Sequence, residues 1–379
     1  MRGTSAGACP RPVRMTSGHR VRDVIVVGGG PAGLAAAVAA ASRGLDVLVL
    51  ERSTLPSDKA CGEGLLPAGV RALEALGART LLEASSVAPV RAVRWVDGAV
   101  AAEARLPAPG GLGIRRTALS SALLARARAT GAEVRERACV RAHRRAREQV
   151  EVELEGGIER ARLLVAADGL ASPIRRREGL DAPTPGAPRF GMRRHFAGAP
   201  WTDAVEVHFA EGVEAYVTPA GPGRVGIAFL YEQAARASYG ALLACFPELA
   251  RRVAGWPYDS ALAGVGPMAR GARARAVHRL VFLGDAGGYV DAVTGEGLSL
   301  AFQGAVALGA TLPAALAAGA TREAFAEWER GEARRFALYA VTTRFVLGLA
   351  RRPAVRRASL AFLARHPRLF ARVVGLVVA

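Results

Sequence analysis

Short apolar runs alternate with helical patterns along much of the chain. Residues 23–27 and 46–50 are rich in valine and leucine, and residues 34–42 between them form an alanine-rich helical pattern. Two further apolar runs, at 163–167 and 280–283, are typical of buried strands. Strands that alternate with helices in this way predict an α/β fold with a parallel, Rossmann-like sheet.

Residues 188–272 show a different pattern, in which apolar and polar residues alternate. The alternation is clear at 205–209 and 225–229, and residues 90–105 predict a hairpin that turns at Asp97-Gly98. A period of two indicates half-buried strands, so we expect an antiparallel sheet here. Other local patterns predict helices at 70–82, 117–130 and 236–253, strands at 133–140 and 149–155, and mostly helix from residue 295 onward.

These patterns divide the chain into four expected parts. They are a disordered leader (1–20), a discontinuous nucleotide-binding domain (21–89, 106–187 and 273–330), a substrate-binding sheet domain (90–105 and 188–272) and a basic helical tail (331–379).

Composition supports a folded protein with an uneven charge. The hydrophobic fraction of 51% over 379 residues excludes a disordered chain and is enough for two domains. The formal net charge is +18, and Lys59 is the only lysine. Residues 1–22 hold five arginines and no acid, and residues 331–379 hold ten arginines against Glu332 alone, so the two ends supply +14 of that charge. A basic binding protein is therefore one alternative, although no helix-turn-helix, zinc or RNA-binding pattern supports nucleic acid as its partner.

Cysteine spacing and the ends of the chain bear on location. The four cysteines, at positions 9, 61, 139 and 245, lack C-x-x-C or zinc spacing, which predicts no metal site and suits a reducing cytoplasm. The first 20 residues lack the apolar core of a secretory signal, and Met15 is an alternative start. The apolar stretch at 298–318 is interrupted by Gln303, Gly309 and Pro313, so we do not expect a membrane span there.

The strand at 23–27 leads directly into G-x-G-x-x-G at residues 28–33. In a dinucleotide site Gly28 permits the tight turn, Gly30 leaves room for the pyrophosphate, and Gly33 lets helix and strand pack closely. The following helix would direct its free N–H groups at the phosphates. Glu51, at the end of the second strand, is placed to accept hydrogen bonds from a ribose.

Two later motifs, Asp168-Gly169 and Gly284-Asp285, also follow apolar strands. The carboxyl ends of parallel strands meet at one edge of a sheet, where ligands bind. Taken singly, each motif is more often an ordinary turn. Together with the glycine turn they predict one cofactor site, in which the two carboxylates accept hydroxyl protons.

The three motifs, in this order, resemble the flavoprotein superfamily that includes p-hydroxybenzoate hydroxylase-type monooxygenases and geranylgeranyl reductases. The loop Lys59-Ala60-Cys61-Gly62-Glu63-Gly64 is similar to the K-x-C-G-x-G loop of the geranylgeranyl reductase-like branch, and residues 291–297 match its D-x-x-T-G-E-G form. The resemblance implies an FAD-binding domain. The cofactor contacts that it and the glycine turn imply are Gly28, Gly30, Ala32, Gly33, Glu51, Arg52, Cys61, Gly62, Arg116, Asp168, Gly284, Asp285, Gly295, Glu296 and Gly297.

The resemblance also implies an FAD-dependent oxidoreductase. We expect a reductase of double bonds in an apolar substrate, isoprenoid or polycyclic; the alternative is a monooxygenase acting on an aromatic or polyketide substrate. Cys61 and Glu63 are the candidate catalytic residues, as a thiol and a proton relay, although a cysteine that only packs the loop is an equal interpretation for Cys61. NAD(P)H or another carrier would supply electrons.

The tail mixes apolar and cationic residues at helical intervals, which allows two interpretations. It can lie in a lipid headgroup layer, which would make the protein peripheral to the inner face of the membrane. Alternatively, its helices cap the flavin domain and bury their apolar faces against it, as short pieces broken at Pro353 and Pro367.

Overall fold

The computed structural model describes residues 20–232 and 238–378. The expected leader, apart from Arg20, and Met15 within it lie outside this part of the chain. The strands, in chain order, are β1 (Val21–Val27), β2 (Val47–Leu50), β3 (Gly64–Leu65), β4 (Val87–Val90), β5 (Ala92–Asp97), β6 (Val100–Arg105), β7 (Gly111–Ile114), β8 (Glu133–Arg135), β9 (Val140–Arg145), β10 (Val150–Leu154), β11 (Gly157–Ala166), β12 (Asp181–Ala182), β13 (Phe190–Ala197), β14 (Ala204–Ala210), β15 (Val213–Pro219), β16 (Arg224–Tyr231), β17 (Ala263–Val265), β18 (Gly271–Ala272), β19 (Ala276–Val277) and β20 (Leu280–Phe282). The helices are α1 (Pro31–Ala41), α2 (Pro67–Ala75), α3 (Arg116–Ala129), α4 (Pro173–Arg177), α5 (Tyr239–Ala244), α6 (Pro247–Arg252), α7 (Gly297–Ala317), α8 (Ala326–Ala350), α9 (Pro353–Arg365) and α10 (Pro367–Val378).

An eight-stranded sheet carries the motifs found in the sequence. Its main path is β19-β20-β11-β1-β2-β8, and β20, β11, β1, β2 and β8 run parallel. The antiparallel strands β10 and β9 extend it from the first half of β11. Because β1, β11 and β20 are parallel neighbours, the residues that follow them meet at one edge. The predicted parallel sheet is confirmed.

Helices α1 and α7 cover this sheet on one side. Helix α1 is alanine-rich and almost entirely buried, so α7 can approach it closely. The contact is tight at Gly309, where an added Cβ would lie 2.7 Å from the Ala39 Cβ. Helix α7 is long and apolar enough to cross a membrane, but half of its most apolar window is buried, and Phe302 and Leu308 are among its core residues. Its apolarity is explained by this packing.

A mixed seven-stranded sheet forms the second layer, in the order β17-β13-β16-β15-β14-β5-β6. Five of its pairings are antiparallel, as the alternation predicts, and the pairing of β14 with β5 is parallel. Strands β5 and β6 form a hairpin that turns after Asp97, as predicted. Through the parallel pairing, this hairpin joins strands that come about a hundred residues later in the sequence.

Three local predictions were wrong in extent. The helix expected at 70–82 is α2, which ends at Ala75, because Gly77 adopts a left-handed conformation with φ of 67°. The single helix expected near 236–253 is two short helices, because Pro247 begins α6 and cannot continue α5. The strand expected at 133–140 is interrupted between β8 and β9, where Arg137 has φ of 55°. A left-handed residue turns the chain out of an extended conformation, so the alternating pattern spans a bend.

The tail forms α8, α9 and α10, and the last two begin at Pro353 and Pro367, as predicted. Helices α9 and α10 pack on β5 and β6 of the seven-stranded sheet rather than on the eight-stranded one, so the expectation that the whole tail caps the nucleotide-binding domain was wrong for these helices. Phe370 is buried against Trp95, with ring centroids 5.2 Å apart. The apolar face of the tail is therefore part of a hydrophobic core.

Candidate active site

One cavity of about 1610 Å³ lies between the carboxyl edge of the eight-stranded sheet, the seven-stranded sheet and the tail helices. It brings together most of the site residues predicted from sequence. Those that line it are Gly28, Gly30, Ala32, Glu51, Arg52, Cys61, Gly62, Glu63, Arg116, Asp168, Gly284, Asp285, Gly295 and Gly297. Gly33 and Glu296 are not among the lining residues.

Each of these glycines in the turn is needed for a different structural reason. Gly28 has φ of 108°, a left-handed conformation that favours glycine. An added Cβ at Gly33 would lie 1.8 Å from the Gly28 carbonyl oxygen, so Gly33 serves the packing of turn and helix. At Gly30 the nearest atom to an added Cβ is an Arg116 side-chain nitrogen at 3.8 Å. Gly30 therefore opens onto the cavity, and its missing side chain leaves room for a ligand.

Glu51 is buried at the cavity wall, where its carboxylate holds the turn. Oε2 accepts the N–H of Gly29 at 2.7 Å, and Oε1 accepts the N–H of Ser53 at 2.9 Å. Each oxygen keeps a second lone pair, so the ribose contact expected from sequence is still compatible with this geometry. Glu51, which directly follows β2, thus also fixes the backbone of the glycine turn, which would face the phosphates of a dinucleotide.

Several polar groups that line the cavity near the glycine turn have no protein partner. Asp168 Oδ1 and Arg116 Nε are buried and make no hydrogen bond in the described part of the chain. Asp285 likewise has no hydrogen bond to its carboxylate among the described residues, and burial raises the pKa of both carboxyl groups. Buried polar groups are nearly always satisfied in folded proteins, so these groups fit a ligand rich in hydroxyls and phosphates.

Cations surround the same region. Arg52, Lys59 and Arg116 all line the cavity. Burial lowers the pKa of Lys59, with Arg116 and Arg52 adding to the effect and Glu51 opposing it. The only lysine of the chain thus faces the cavity beside two arginines, an arrangement that would stabilise an anionic ligand.

The loop that carries Cys61, residues 58–64, also lines the cavity. Cys61 is half-buried, and its Sγ lies 3.3 Å from the backbone N–H of Glu63, which donates to it. Burial raises the pKa of the thiol, although Arg116 opposes the shift. Cys61 is therefore a protonated thiol at neutral pH, which can give up a proton but is a poor nucleophile.

Glu63 lies in a buried polar cluster that the sequence did not indicate. Its Oε1 accepts the backbone N–H of Arg116 at 2.8 Å and lies 3.3 Å from Arg115 Nη1. Its Oε2 lies 2.5 Å from His195 Nε2. Because both oxygens are engaged, Glu63 is less suited to a proton relay than its place in the loop suggested.

The other end of the cavity is apolar and opens at the tail. Trp95, Val207, Tyr216, Leu230 and Met268 form part of its wall, and the Tyr216 hydroxyl donates to the Val293 carbonyl. Six large apolar side chains of the lining are between 38% and 67% exposed, which marks the mouth. They are Leu262, Val265, Val341, Phe345, Phe362 and Val373.

Comparisons with known proteins agree with this geometry. Residues 22–240 match the family model described as an FAD binding domain. The chain is 30% identical over 301 residues to a menaquinone reductase of Mycobacterium tuberculosis, which covers 73% of this chain and 72% of that protein. It is 32% identical over 321 residues to digeranylgeranylglycerophospholipid reductase 1 of Methanopyrus kandleri, which covers 74% and 77%.

The fold is also found in solved structures. The halogenase PltM in complex with phloroglucinol and FAD superposes with a TM-score of 0.78 at 18% identity, over 94% of this chain and 85% of that one. At this identity the likeness concerns the fold alone.

Proposed function

The chain belongs to the flavoprotein family with this FAD-binding domain and is an FAD-dependent oxidoreductase; within that class, we propose that it reduces a double bond in an apolar substrate, isoprenoid or polycyclic. The observation that carries the proposal is the shared cavity. Its end beside the glycine turn, the cofactor end, is cationic and polar, its other end is apolar, and the half-buried Cys61 thiol lines the same cavity. The two reductases reported above agree with this assignment.

The proposed division of labour assigns FAD to the polar end, where Gly30, Arg116 and Asp285 face the cavity. Bound FAD in its reduced form would supply the electron pair together with one proton, as a hydride, and a carrier such as NAD(P)H would reduce it again. The chain supplies the remaining proton. Cys61 is the proposed donor, because burial keeps its thiol protonated and it lines the cavity.

A single-turnover experiment tests the proposal against the monooxygenase alternative. The FAD-loaded protein is reduced anaerobically, and the visible flavin spectrum is followed after a polyprenylated naphthoquinone is added. A reductase is expected to add two hydrogen atoms to the side chain of the naphthoquinone without oxygen, which the mass of the product measures; reoxidation of the flavin alone does not show this, because the quinone ring also accepts its electrons. Cys61→Ala should slow this saturation by about a hundredfold to ten-thousandfold, the range of general acid catalysis. Reoxidation that requires oxygen and yields a hydroxylated product would favour the monooxygenase instead.

Asp285→Ala is expected to weaken FAD binding more than Asp168→Ala. The Asp285 carboxylate faces the cavity, whereas Asp168 Oδ2 already accepts the N–H of Ile174 at 3.2 Å and has a partly structural role. Losing one charge-assisted hydrogen bond costs about 1.5–3 kcal/mol, so affinity should fall roughly ten- to a hundredfold. Titration of each apoprotein with FAD measures the affinities of the two variants, and Asp203→Ala, at an exposed site, is the control. Equal or reversed effects would overturn it.

We also infer that the mouth of the cavity rests on a membrane surface. Of the exposed apolar residues at the mouth, Val341, Phe345, Phe362 and Val373 lie on the tail helices. Exposed arginines flank them, namely Arg344, Arg365, Arg368 and Arg372. Apolar rims ringed by arginine fit anionic headgroups, so an apolar substrate would enter from the bilayer. We therefore propose that the protein is cytoplasmic and peripheral to the inner face of the membrane.

Co-sedimentation with vesicles that contain anionic lipid tests this placement. The intact chain is expected to bind and to dissociate as salt rises, since each arginine near the surface contributes about 1 kcal/mol. Phe345→Ser with Phe362→Ser should weaken binding, whereas Ile158→Ser, at an exposed apolar site on the β10–β11 hairpin, should not. Failure of the intact chain to sediment, or equal sedimentation of all variants, would contradict the inference.

A further inference from the structure

The loop of residues 58–64 is fastened at both ends to a strand of the other sheet. Arg193, on β13, donates through Nη2 to the Asp58 carboxylate at 2.5 Å and to the Lys59 carbonyl at 2.9 Å. Two residues along the same strand, His195 contacts the Glu63 carboxylate at 2.5 Å. The strand of the substrate sheet therefore holds the loop on either side of Cys61.

The contacts of His195 define its protonation. Its Nδ1 lies 2.9 Å from Arg115 Nη1, 3.1 Å from Arg193 Nη1 and 2.9 Å from Ser260 Oγ. Arg115 Nη1 also lies 3.2 Å from Nε2, but Arg193 Nη1 contacts Nδ1 alone. Because a guanidinium group only donates, Nδ1 is the acceptor, and the ring proton is on Nε2, where it is donated to Glu63. Burial lowers the pKa of His195 despite the Glu63 carboxylate, which agrees with a neutral ring.

Two carboxylates and two guanidinium groups balance the charge of this buried cluster. Asp58 and Glu63 face Arg115 and Arg193, with the neutral His195 between them. Burial of Asp58 tends to raise its pKa, but the Arg193 guanidinium holds the pKa of this carboxyl below its ordinary value. Removing either carboxylate or either arginine would leave an opposite charge short of its partner, so the cluster acts as a unit.

The backbone of the loop requires such support. Glu63 has φ of 60°, a left-handed conformation that is uncommon for a residue other than glycine. Such conformations persist where surrounding contacts hold them. The contacts that hold Glu63 are the Arg116 backbone N–H, the Arg115 guanidinium and the His195 ring. The position of Cys61, two residues earlier, therefore depends on His195 through Glu63.

We propose that Arg193 and His195 are positioning residues: from the substrate sheet they hold the loop of residues 58–64, and with it the Cys61 thiol, at the wall of the cavity. Only the catalytic role of Cys61 as a proton donor rests on the proposed function. The placement of the loop stands on the contacts above.

The test is the rate at which N-ethylmaleimide labels Cys61 in the FAD-loaded protein, mapped by peptide mass spectrometry. Exposed Cys245 is the internal reference. His195→Asn, too short to reach Glu63 and Arg193 together, should raise Cys61 labelling by about tenfold or more, because the loop opens more often. His195→Gln should stay within about threefold of the wild type, since its amide can donate to Glu63 and accept from the arginines. The control is His208→Gln, because the His208 ring pairs with Glu206 on its own strand, β14, away from the loop.

Each outcome bears on the proposal. Rapid labelling in His195→Asn with slow labelling in His195→Gln supports it, and a matching shift of the bound FAD spectrum in His195→Asn and Arg193→Met adds a second readout. Equal Cys61 labelling in the wild type and both His195 variants overturns it. Because neither readout requires turnover, a failure here leaves the reductase assignment standing, and a failure of the reductase assignment leaves this result unchanged.

Discussion

Gly30→Val is expected to abolish retention of FAD while the protein stays folded. An added Cβ at Gly30 meets no atom closer than 3.8 Å, so the backbone tolerates it, but the side chain projects into the cofactor end of the cavity. There it would occupy the space that the family's FAD-binding turn reserves for the pyrophosphate. The purified variant should be colourless, with a circular dichroism spectrum like that of the wild type.

Two other glycines provide the controls. Gly33→Val should instead destabilise the fold, because an added Cβ would lie 1.8 Å from a backbone oxygen. Gly240→Val, at an exposed helical position with no atom within 4 Å of the added Cβ, should retain FAD in full. Full FAD occupancy in Gly30→Val would show that the turn does not face the pyrophosphate.

Arg356→Met is expected to destabilise the protein by about 3–5 kcal/mol, the usual effect of leaving a buried charge unpaired. Arg356 is on α9, and its Nε donates to Asp97 Oδ2 at 2.8 Å at the turn of the β5–β6 hairpin. The two side chains are 3% and 4% exposed, so Asp97 would lose its buried partner without gaining water and would keep only the longer contact with Arg357. Denaturant unfolding of the FAD-loaded protein measures the change.

The adjacent arginine is a matched control for this prediction. Arg357 also contacts Asp97, at 3.4 Å, but its side chain is 64% exposed. Exposed ion pairs contribute about 0–1 kcal/mol, so Arg357→Met should have little effect. Similar unfolding curves for the two variants would mean that the tail is not part of the core.

Truncation after Glu332 is expected to prevent folding, because it would remove the helices that cover Trp95.

The cofactor end could be predicted because its signals are local. Each motif follows its own apolar strand within a few residues, and parallel pairing then brings Gly28, Asp168 and Gly284 to one edge. Gly33 and Glu51 are close to the turn that they support. The fold class followed from the same strands and from the alternation at 205–209 and 225–229.

The remaining features depend on contacts between distant parts of the chain. His195 meets Glu63 across 132 positions, and Arg356 meets Asp97 across 259. An arginine or histidine on an alternating strand is typical of a solvated face, so nothing in the sequence distinguished Arg193 from its neighbours. The apolar faces of α9 and α10 were evident, but the surface that buries them was not.

The central claim, that this flavoprotein saturates a double bond held in an apolar cavity, is tested most directly by the mass of the product. FAD-loaded protein is reduced without oxygen, given a polyprenylated naphthoquinone, and then exposed to air after the protein is removed. Air returns any reduced ring to the quinone, but a saturated side chain keeps its added hydrogens. The claim predicts a product heavier by two hydrogen atoms, with the gain in the side chain. A product of unchanged mass, or one that gains an oxygen atom when oxygen is present during turnover, would contradict it.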